Sequence, residues 1–120
     1  MANTFKNVTA QGIGTAATVV GFATGVPDNS QVTCIGMTCA NVANEVVSVD
    51  VTLEVFVNGG TNTGITHLGK AAPIPVGGSL VVLGGDQKVV MQDTAGGNQI
   101  KVKSNVASSI DVVMSYLEIT

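Results

Sequence analysis

The stretch VVSVDVTLEVFVN, residues 46–58, decides the fold class. It alternates two sets of side chains: Val49, Val51, Leu53, Val55 and Val57 against Asp50, Thr52, Glu54 and Phe56. Successive side chains of a strand point to opposite faces, so this period of two puts the aliphatic set on one face and the mostly polar set on the other. The segment is therefore predicted to be a half-buried strand whose carboxylates, Asp50 and Glu54, lie on a solvated face.

Shorter apolar runs separated by turn residues occupy the rest of the chain. They predict further strands at 4–10, 15–22, 32–41, 65–72, 79–85, 87–92, 100–105 and 109–120. Val dominates the bulky apolar residues, and β-branched side chains suit a pleated surface better than a helix. We therefore expect an all-β chain of about eight or nine strands, folded as a single-domain β-sandwich over residues 1–120 with a jelly-roll-like topology.

The segment GGDQK, residues 84–88, resembles a phosphate-binding loop at first sight. Such a loop needs GxxxxGK[ST] leading into a helix, whereas Lys88 is followed by the strand-like run VVMQ and by no hydroxyl. We therefore interpret GGDQK as the turn between two strands. The pair Gly77-Gly78, shortly after Pro75, is predicted to be a turn of the same kind.

Cys34 and Cys39 lie in CIGMTC, within the predicted strand 32–41. Along an extended strand their Cα atoms would be about 16 Å apart, well beyond the ~7 Å limit for a disulfide. Their odd spacing also predicts opposite faces of the sheet. We expect two free thiols acting as small apolar side chains, with a local disulfide across a tight hairpin at Gly36-Met37 as the alternative.

Nothing in the sequence predicts catalysis, a cofactor or a metal site. The single histidine, His67, has no Ser/His/Asp pattern near it, and we interpret it as a partly exposed strand residue. Asp50 and Glu54 would be about 13 Å apart, too far for the ~5 to 9.5 Å spacing of a glycosidase pair. The chain is therefore expected not to be an enzyme, with no catalytic, cofactor-binding or metal-ligating residue.

The charge pattern also excludes some partners. All five basic residues are Lys and the net charge is -3, which argues against nucleic-acid binding. No apolar run reaches the ~20 residues of a membrane span, and no signal peptide is recognisable, so we expect a soluble protein made in the cytoplasm.

The composition predicts assembly with other chains. Charged residues are only 11% of the total, against about 25% in typical soluble domains, so part of the surface is expected to be covered by neighbours. Phe56, on the polar face of its strand, is the leading interface candidate, and Tyr116 and Phe5 are the others.

The run KAAPIPVGGSLVVLGGDQKVVMQDTAGGNQIKVKSNVASSIDVVMSYLEIT, residues 70–120, resembles small β-rich structural proteins of tailed-bacteriophage virions. The shared features are a P-x-P-x-G step (residues 73–77), a GGDQK hairpin and a terminal LEIT strand. Residues 4–20 and 47–58 fit the same scheme more loosely.

This resemblance implies a non-enzymatic head-decoration (cement), neck or collar protein. Such proteins are often trimers, and the expected partners are other copies of the chain and the major capsid, portal-neck or tail proteins. The expected location is the virion, assembled in the host cytoplasm. The alternative is a carbohydrate- or receptor-binding module of a phage fibre, which the absence of Trp and the single Tyr disfavour.

Overall fold

The computed structural model describes residues 3–21, 30–57, 61–84, 88–92 and 98–119, without the side chains of residues 55–57, 61–64 and 92. These ranges contain nine strands. They are β1 (Asn3–Ile13), β2 (Thr18–Val19), β3 (Gln31–Asn41), β4 (Val47–Val57), β5 (Thr61–Ile74), β6 (Ser79–Leu83), β7 (Val89–Gln92), β8 (Asn98–Ser104) and β9 (Ile110–Ile119).

The strands form two antiparallel sheets. Sheet I has the order β1-β9-β3-β6, with β7 also pairing β3, and sheet II has the order β2-β8-β4-β5. The pairing is nested: the first strand pairs the last, β2 pairs β8, β3 pairs β6 and β7, and β4 pairs β5. An antiparallel ribbon wound in this way is a jelly roll, so the predicted fold class is confirmed.

The core lies between the two sheets and is mainly aliphatic. Sheet II contributes Val47, Val49 and Val51, all at 0% exposure. The predicted aliphatic face is confirmed at Val49 and Val51, Leu53 is half-buried, and the side chains of Val55 and Val57 lie outside the described residues. Sheet I contributes Met37 and Met114. Other fully enclosed side chains include Val20, Val32, Ile74, Leu83, Met91, Ile100 and Ile110.

The strand predicted at 15–22 is much shorter in the structure, where β2 spans only Thr18–Val19. Gly21 follows with φ +65°, a conformation that side-chain-bearing residues rarely adopt, and a Cβ there would lie only 3.1 Å from Val8. The chain bends there and the ladder with β8 stops. A second bend at residues 15–16 keeps the start of the predicted segment out of the strand. The apolar pattern TAATVV overestimated the strand because it carries no information about either bend.

Strand β3 contains a β-bulge that changes which side chains face the core. In the ladder with β9, Cys34 pairs Tyr116 but Gly36 pairs the next residue, Ser115, so Ile35 is an extra residue. Because of this extra residue, the alternation of inward and outward side chains shifts by one position at Ile35. Cys34 and Cys39 therefore both face the core, and both are fully buried. The prediction that the two thiols lie on opposite faces was wrong for this reason. The prediction that they are free is confirmed.

The predicted turn after Pro75 is present. The Gly78 N–H donates to the Pro75 carbonyl oxygen at 2.9 Å, and Gly77 has φ +73° at the third position, as a type II turn requires. In GGDQK, residues 85–87 lie outside the described residues. The chain after Lys88 is strand β7, which agrees with a turn between strands and not with a loop that opens a helix.

One buried asparagine ties the strand ends together at one end of the sandwich. The Asn41 Nδ2 group donates to the carbonyl oxygens of Glu45, at 2.8 Å, and Ile74, at 2.9 Å. Its Oδ1 accepts the N–H of Ala43 at 2.8 Å. A single side chain thus joins the end of β3, the following turn and the end of β5.

Candidate functional site

The outer face of sheet I is the most unusual surface of the described chain. We call it the uncharged face and define it by Phe5, Asn7 and Thr9 of β1, Val113, Ser115 and Leu117 of β9, Thr33, Gly36 and Thr38 of β3, Val81 of β6 and Val90 of β7. On β9 these residues alternate with the buried Val112, Met114 and Tyr116, as a half-buried sheet requires. None of them carries a charge.

Register arranges this face in rows across the sheet. One row runs Phe5, Leu117, Thr33, Val90, and another runs Thr9, Val113, Thr38, Val81. Between them lies a row of small or polar residues, Asn7, Ser115 and Gly36. The face is therefore two mixed rows of apolar and hydroxyl side chains with a low centre.

Large apolar side chains on this face are exposed to solvent. Phe5 is 74% exposed and Val81 63%, while Val90 and Val113 are close to half exposed. Scattered exposed apolar residues are ordinary, but four on one face without a charge among them form a patch of the kind found at interaction sites.

Two charged residues of sheet I, Lys6 and Glu118, lie on the opposite side of their strands. The Lys6 Nζ and the Glu118 Oε1 are 3.0 Å apart, and both side chains alternate with the uncharged face along their strands. Glu118 raises the pKa of Lys6 through their hydrogen bond and their opposite charges. Asp111 lies on the same side of β9 as Val113 and Ser115, at one end of the uncharged face, where its Oδ1 accepts the N–H of Gly12 at 3.0 Å.

The outer face of sheet II is charged. We call it the charged face: Asp50, Thr52 and Glu54 of β4, Lys101 and Lys103 of β8, and Ile65 and His67 of β5. Register places Asp50 opposite Lys103, and Thr52 opposite both Lys101 and His67. A cleft of about 230 Å³ lies over these residues.

Glu54 departs from its predicted solvated position. It is only 7% exposed, and its Oε1 lies 3.2 Å from the Lys101 Nζ. The ion pair forms across the strand pair β4 and β8, which the local sequence of β4 cannot reveal. Glu54 is therefore a buried, paired carboxylate and not part of a solvated face.

Asp50 and His67, also on the charged face, differ in what they do. His67 is exposed, as expected for a strand residue. The Asp50 Oδ1 accepts the N–H of Ala71 at 2.7 Å, at a point where Ala71 has φ 49° and the β4–β5 register shifts. Asp50 thus holds a strained bulge in the edge strand β5. Within the described ranges no three His, Cys, Asp or Glu side chains gather in a way that could hold a metal ion.

The three predicted interface residues are placed differently. Phe5 lies on the uncharged face and is the most exposed large apolar side chain described. Tyr116 is 8% exposed and packs in the core, so burial within its own chain accounts for it. The side chain of Phe56 lies outside the described residues. Sequence reasoning selected aromatic residues singly and missed the aliphatic and hydroxyl residues that surround Phe5.

The two thiols are enclosed in the core. The Cys34 Sγ lies 3.5 Å from the sulfur atoms of both Met91 and Met114. Burial raises the pKa of Cys34 and of Cys39 to about 11. The thiolate is the reactive form of cysteine, and these thiols stay protonated at neutral pH. Both residues are therefore unreactive for two reasons: reagents cannot reach them, and they are not ionised.

We expect Cys34 and Cys39 to react with a thiol reagent at least about a thousandfold more slowly in the folded protein than in denaturant without reductant. Stability should also fall as the pH rises above the unfolded-state thiol pKa of about 8.5 towards about 11, because only the unfolded chain then ionises readily. Timed labelling followed by mass spectrometry measures the first effect, and urea titration at several pH values the second. Rapid labelling of the folded protein would contradict the buried placement.

Comparisons with known proteins assign no family to the chain. No protein-family model matches the chain, and no curated protein sequence matches it. A solved structure from Bacillus endospore appendages, described as a novel family of disulfide-linked pili, is similar over 99% of this chain and 87% of that one. The identity is 12% and the TM-score 0.49, and a likeness at this level carries no argument about function. Among the described residues, no helix has the length and apolar character needed to cross a membrane.

Proposed function

We propose that this chain is a non-enzymatic structural protein that assembles with other copies of itself on a larger particle. The observation that supports this most is the uncharged face: four strands wide, with Phe5, Val81, Val90 and Val113 exposed. A soluble protein gains solubility from charges spread over its surface, and a face of this size without charges is one that a neighbour covers.

The division of charge between the two sheets supports the same proposal. Asp50, Lys101 and Lys103 lie on the outer face of sheet II, so one side of the sandwich suits contact with water and the other suits contact with protein. A subunit of a particle surface needs this polarity, because one side attaches and the other remains solvated. The ordinary structural roles of Asp50 and Glu54 fit a protein without catalysis.

The particle we propose is the virion of a tailed bacteriophage, assembled in the host cytoplasm. This step is supported by the resemblance of residues 70–120 to virion decoration, neck and collar proteins. The chain would then act as a capsid cement protein or as a component of the neck or collar, in contact with major capsid, portal-neck or tail proteins. A multimer, as in many such proteins, is the expected functional form.

Solution mass tests the assembly, and labelling tests the particle. Light scattering over a dilution series should give a mass that is a multiple of the 12.1 kDa chain. A monomer at every concentration would overturn self-assembly and would favour a receptor- or carbohydrate-binding module. Gold-labelled antibody against the purified chain should decorate virions of the phage that encodes it, and unlabelled virions would overturn the virion assignment.

A further inference from the structure

Three sulfur atoms meet in the core, on the inner side of sheet I. The Cys34 Sγ lies 3.5 Å from the Met91 Sδ and 3.5 Å from the Met114 Sδ, and all three side chains are 0% exposed. Thiolate and thioether sulfur are the protein ligands that soft metal ions prefer. We infer that Cys34, Met91 and Met114 are the ligands of a binding site for one Cu(I) ion. The site is independent of the proposed assembly.

The fold brings these three residues together from three strands. Cys34 lies in β3 and pairs Val89 of β7 on one side and Tyr116 of β9 on the other. Each of those partners is two residues from a methionine, so Met91 and Met114 are the diagonal neighbours of Cys34, a distance that long side chains span. The two methionines are 57 and 80 residues from Cys34 in the sequence, so no short motif indicates the site.

Charge favours a monovalent ion at this place. A thiolate and Cu(I) together carry no net charge, and thioethers are neutral, so the occupied site adds no net charge to the core. Zn²⁺ on the same ligands would leave one positive charge far from water, which is costly. When Cu(I) binds, the S–H bond of Cys34 breaks, a sulfur–copper bond forms and the proton passes to solvent. No electron is transferred.

The methionines can make room for the ion. With metal–sulfur bonds of about 2.3 Å, the length found in zinc–thiolate sites, three sulfurs in a plane around one ion would lie about 4 Å apart. The two contacts of 3.5 Å would therefore each open by about 0.5 Å. Methionine is unbranched and has three rotatable bonds, so it accommodates such a change. Met91 lies in the four-residue strand β7, and local opening of this short strand gives the ion a path into the core.

Refolding in the presence of Cu(I) tests the site. The chain is unfolded in urea, refolded under nitrogen with excess Cu(I), and separated from unbound ion by gel filtration. Native mass spectrometry should then show one ion per chain, and competition with a coloured Cu(I) chelator gives the affinity. The Cu(I) ion should also raise the midpoint of thermal unfolding, because it binds the folded chain in preference to the unfolded one.

Matched variants of the same two residue types separate this site from other sulfur atoms of the core. Met91→Leu and Met114→Leu should each weaken Cu(I) binding at least about tenfold, since even groups that only support a metal ligand are worth about 10- to 100-fold in affinity. Cys34→Ala should abolish it. The controls are Met37→Leu and Cys39→Ala, at equally buried positions of the same core, and both should keep the affinity of the wild type.

Each outcome supports the site or overturns it. A wild type that refolds without an ion would show that the three sulfurs only pack against one another. Cu(I) binding that persists in Cys34→Ala, or that weakens as much in Cys39→Ala, would overturn this set of ligands. Binding of Zn²⁺ as tight as that of Cu(I) would overturn the argument from charge. The leucine variants conserve side-chain volume and should fold, which circular dichroism without metal checks. If Cys34→Ala does not fold, Cys34→Ser takes its place with the same expected loss.

Discussion

The Asn41→Ala variant is expected to lose about 2 to 4 kcal/mol of unfolding free energy. Asn41 is 5% exposed, and its amide donates to two carbonyl oxygens, of Glu45 and Ile74, while its Oδ1 accepts the N–H of Ala43. Alanine would leave these backbone groups without their partner in an enclosed place. Each buried backbone group left without a partner costs about 1 to 3 kcal/mol. The expected loss is smaller than three such costs added together, because water partly reaches these groups in the variant.

Urea denaturation followed by circular dichroism measures the Asn41 effect. The matched control is Asn44→Ala, the same substitution three residues away at an exposed position, which should change the free energy by less than about 0.5 kcal/mol. Equal losses in the two variants would show that Asn41 does not hold the ends of β3 and β5 together. Asn41→Asp is a second check, since it retains the acceptor for Ala43 and removes the donor.

Much of the fold follows from local patterns in the sequence. The alternation of Val49, Val51 and Leu53 with polar residues predicted β4 because a half-buried strand imposes that period. Each of the nine expected strands has a counterpart, since Gly, Pro and Asn mark the turns between them. The turn at Gly77 was predictable for the same reason: few residues other than glycine adopt its φ of +73°.

The features that were missed depend on contacts between distant segments. The burial of Glu54 requires Lys101 on the neighbouring strand, and no local pattern states that β4 and β8 are neighbours. The shared orientation of Cys34 and Cys39 depends on one extra residue at Ile35, which interrupts the period-two pattern. The adjacent Gly36 is a residue type that often marks a bulge, but it was considered only as part of a possible hairpin turn.

The uncharged face was beyond prediction for a related reason. Within each strand the outward residues, such as Phe5 and Asn7 or Val113 and Ser115, are a short and ordinary set. Their common lack of charge matters only when the strands lie side by side. The order β1-β9-β3-β6 joins the two ends of the chain with its middle, and this order comes from the jelly-roll topology. Low overall charge predicted a covered surface but could not locate it.

Deleting one residue from β3 should have opposite effects on stability at two positions, the bulge residue Ile35 and the regular-ladder residue Thr38. Deleting Ile35 removes the extra residue, so Cys34, Gly36 and Met37 would pair Tyr116, Ser115 and Met114 without interruption. The alternation of buried and outward side chains is then unbroken along the strand. We expect this variant to fold and to lose less than about 2 kcal/mol, because the connection from β6 to β7 must absorb only about 3 Å.

Deleting Thr38 instead should destroy the fold. Thr38 lies in the regular part of the ladder with β9, between Met37 and Cys39. Its removal shifts the alternation of inward and outward side chains by one residue. Either Cys39 and Asn41 then turn outward, or the buried side chains of residues 31–37 do. The loss should exceed about 4 kcal/mol, since buried core side chains and the Asn41 hydrogen bonds are lost together. Thermal unfolding of both deletion variants measures the difference in stability. Two equally unstable variants would show that Ile35 is an essential part of β3. Two equally stable variants would show that the register of β3 is not fixed by its buried side chains.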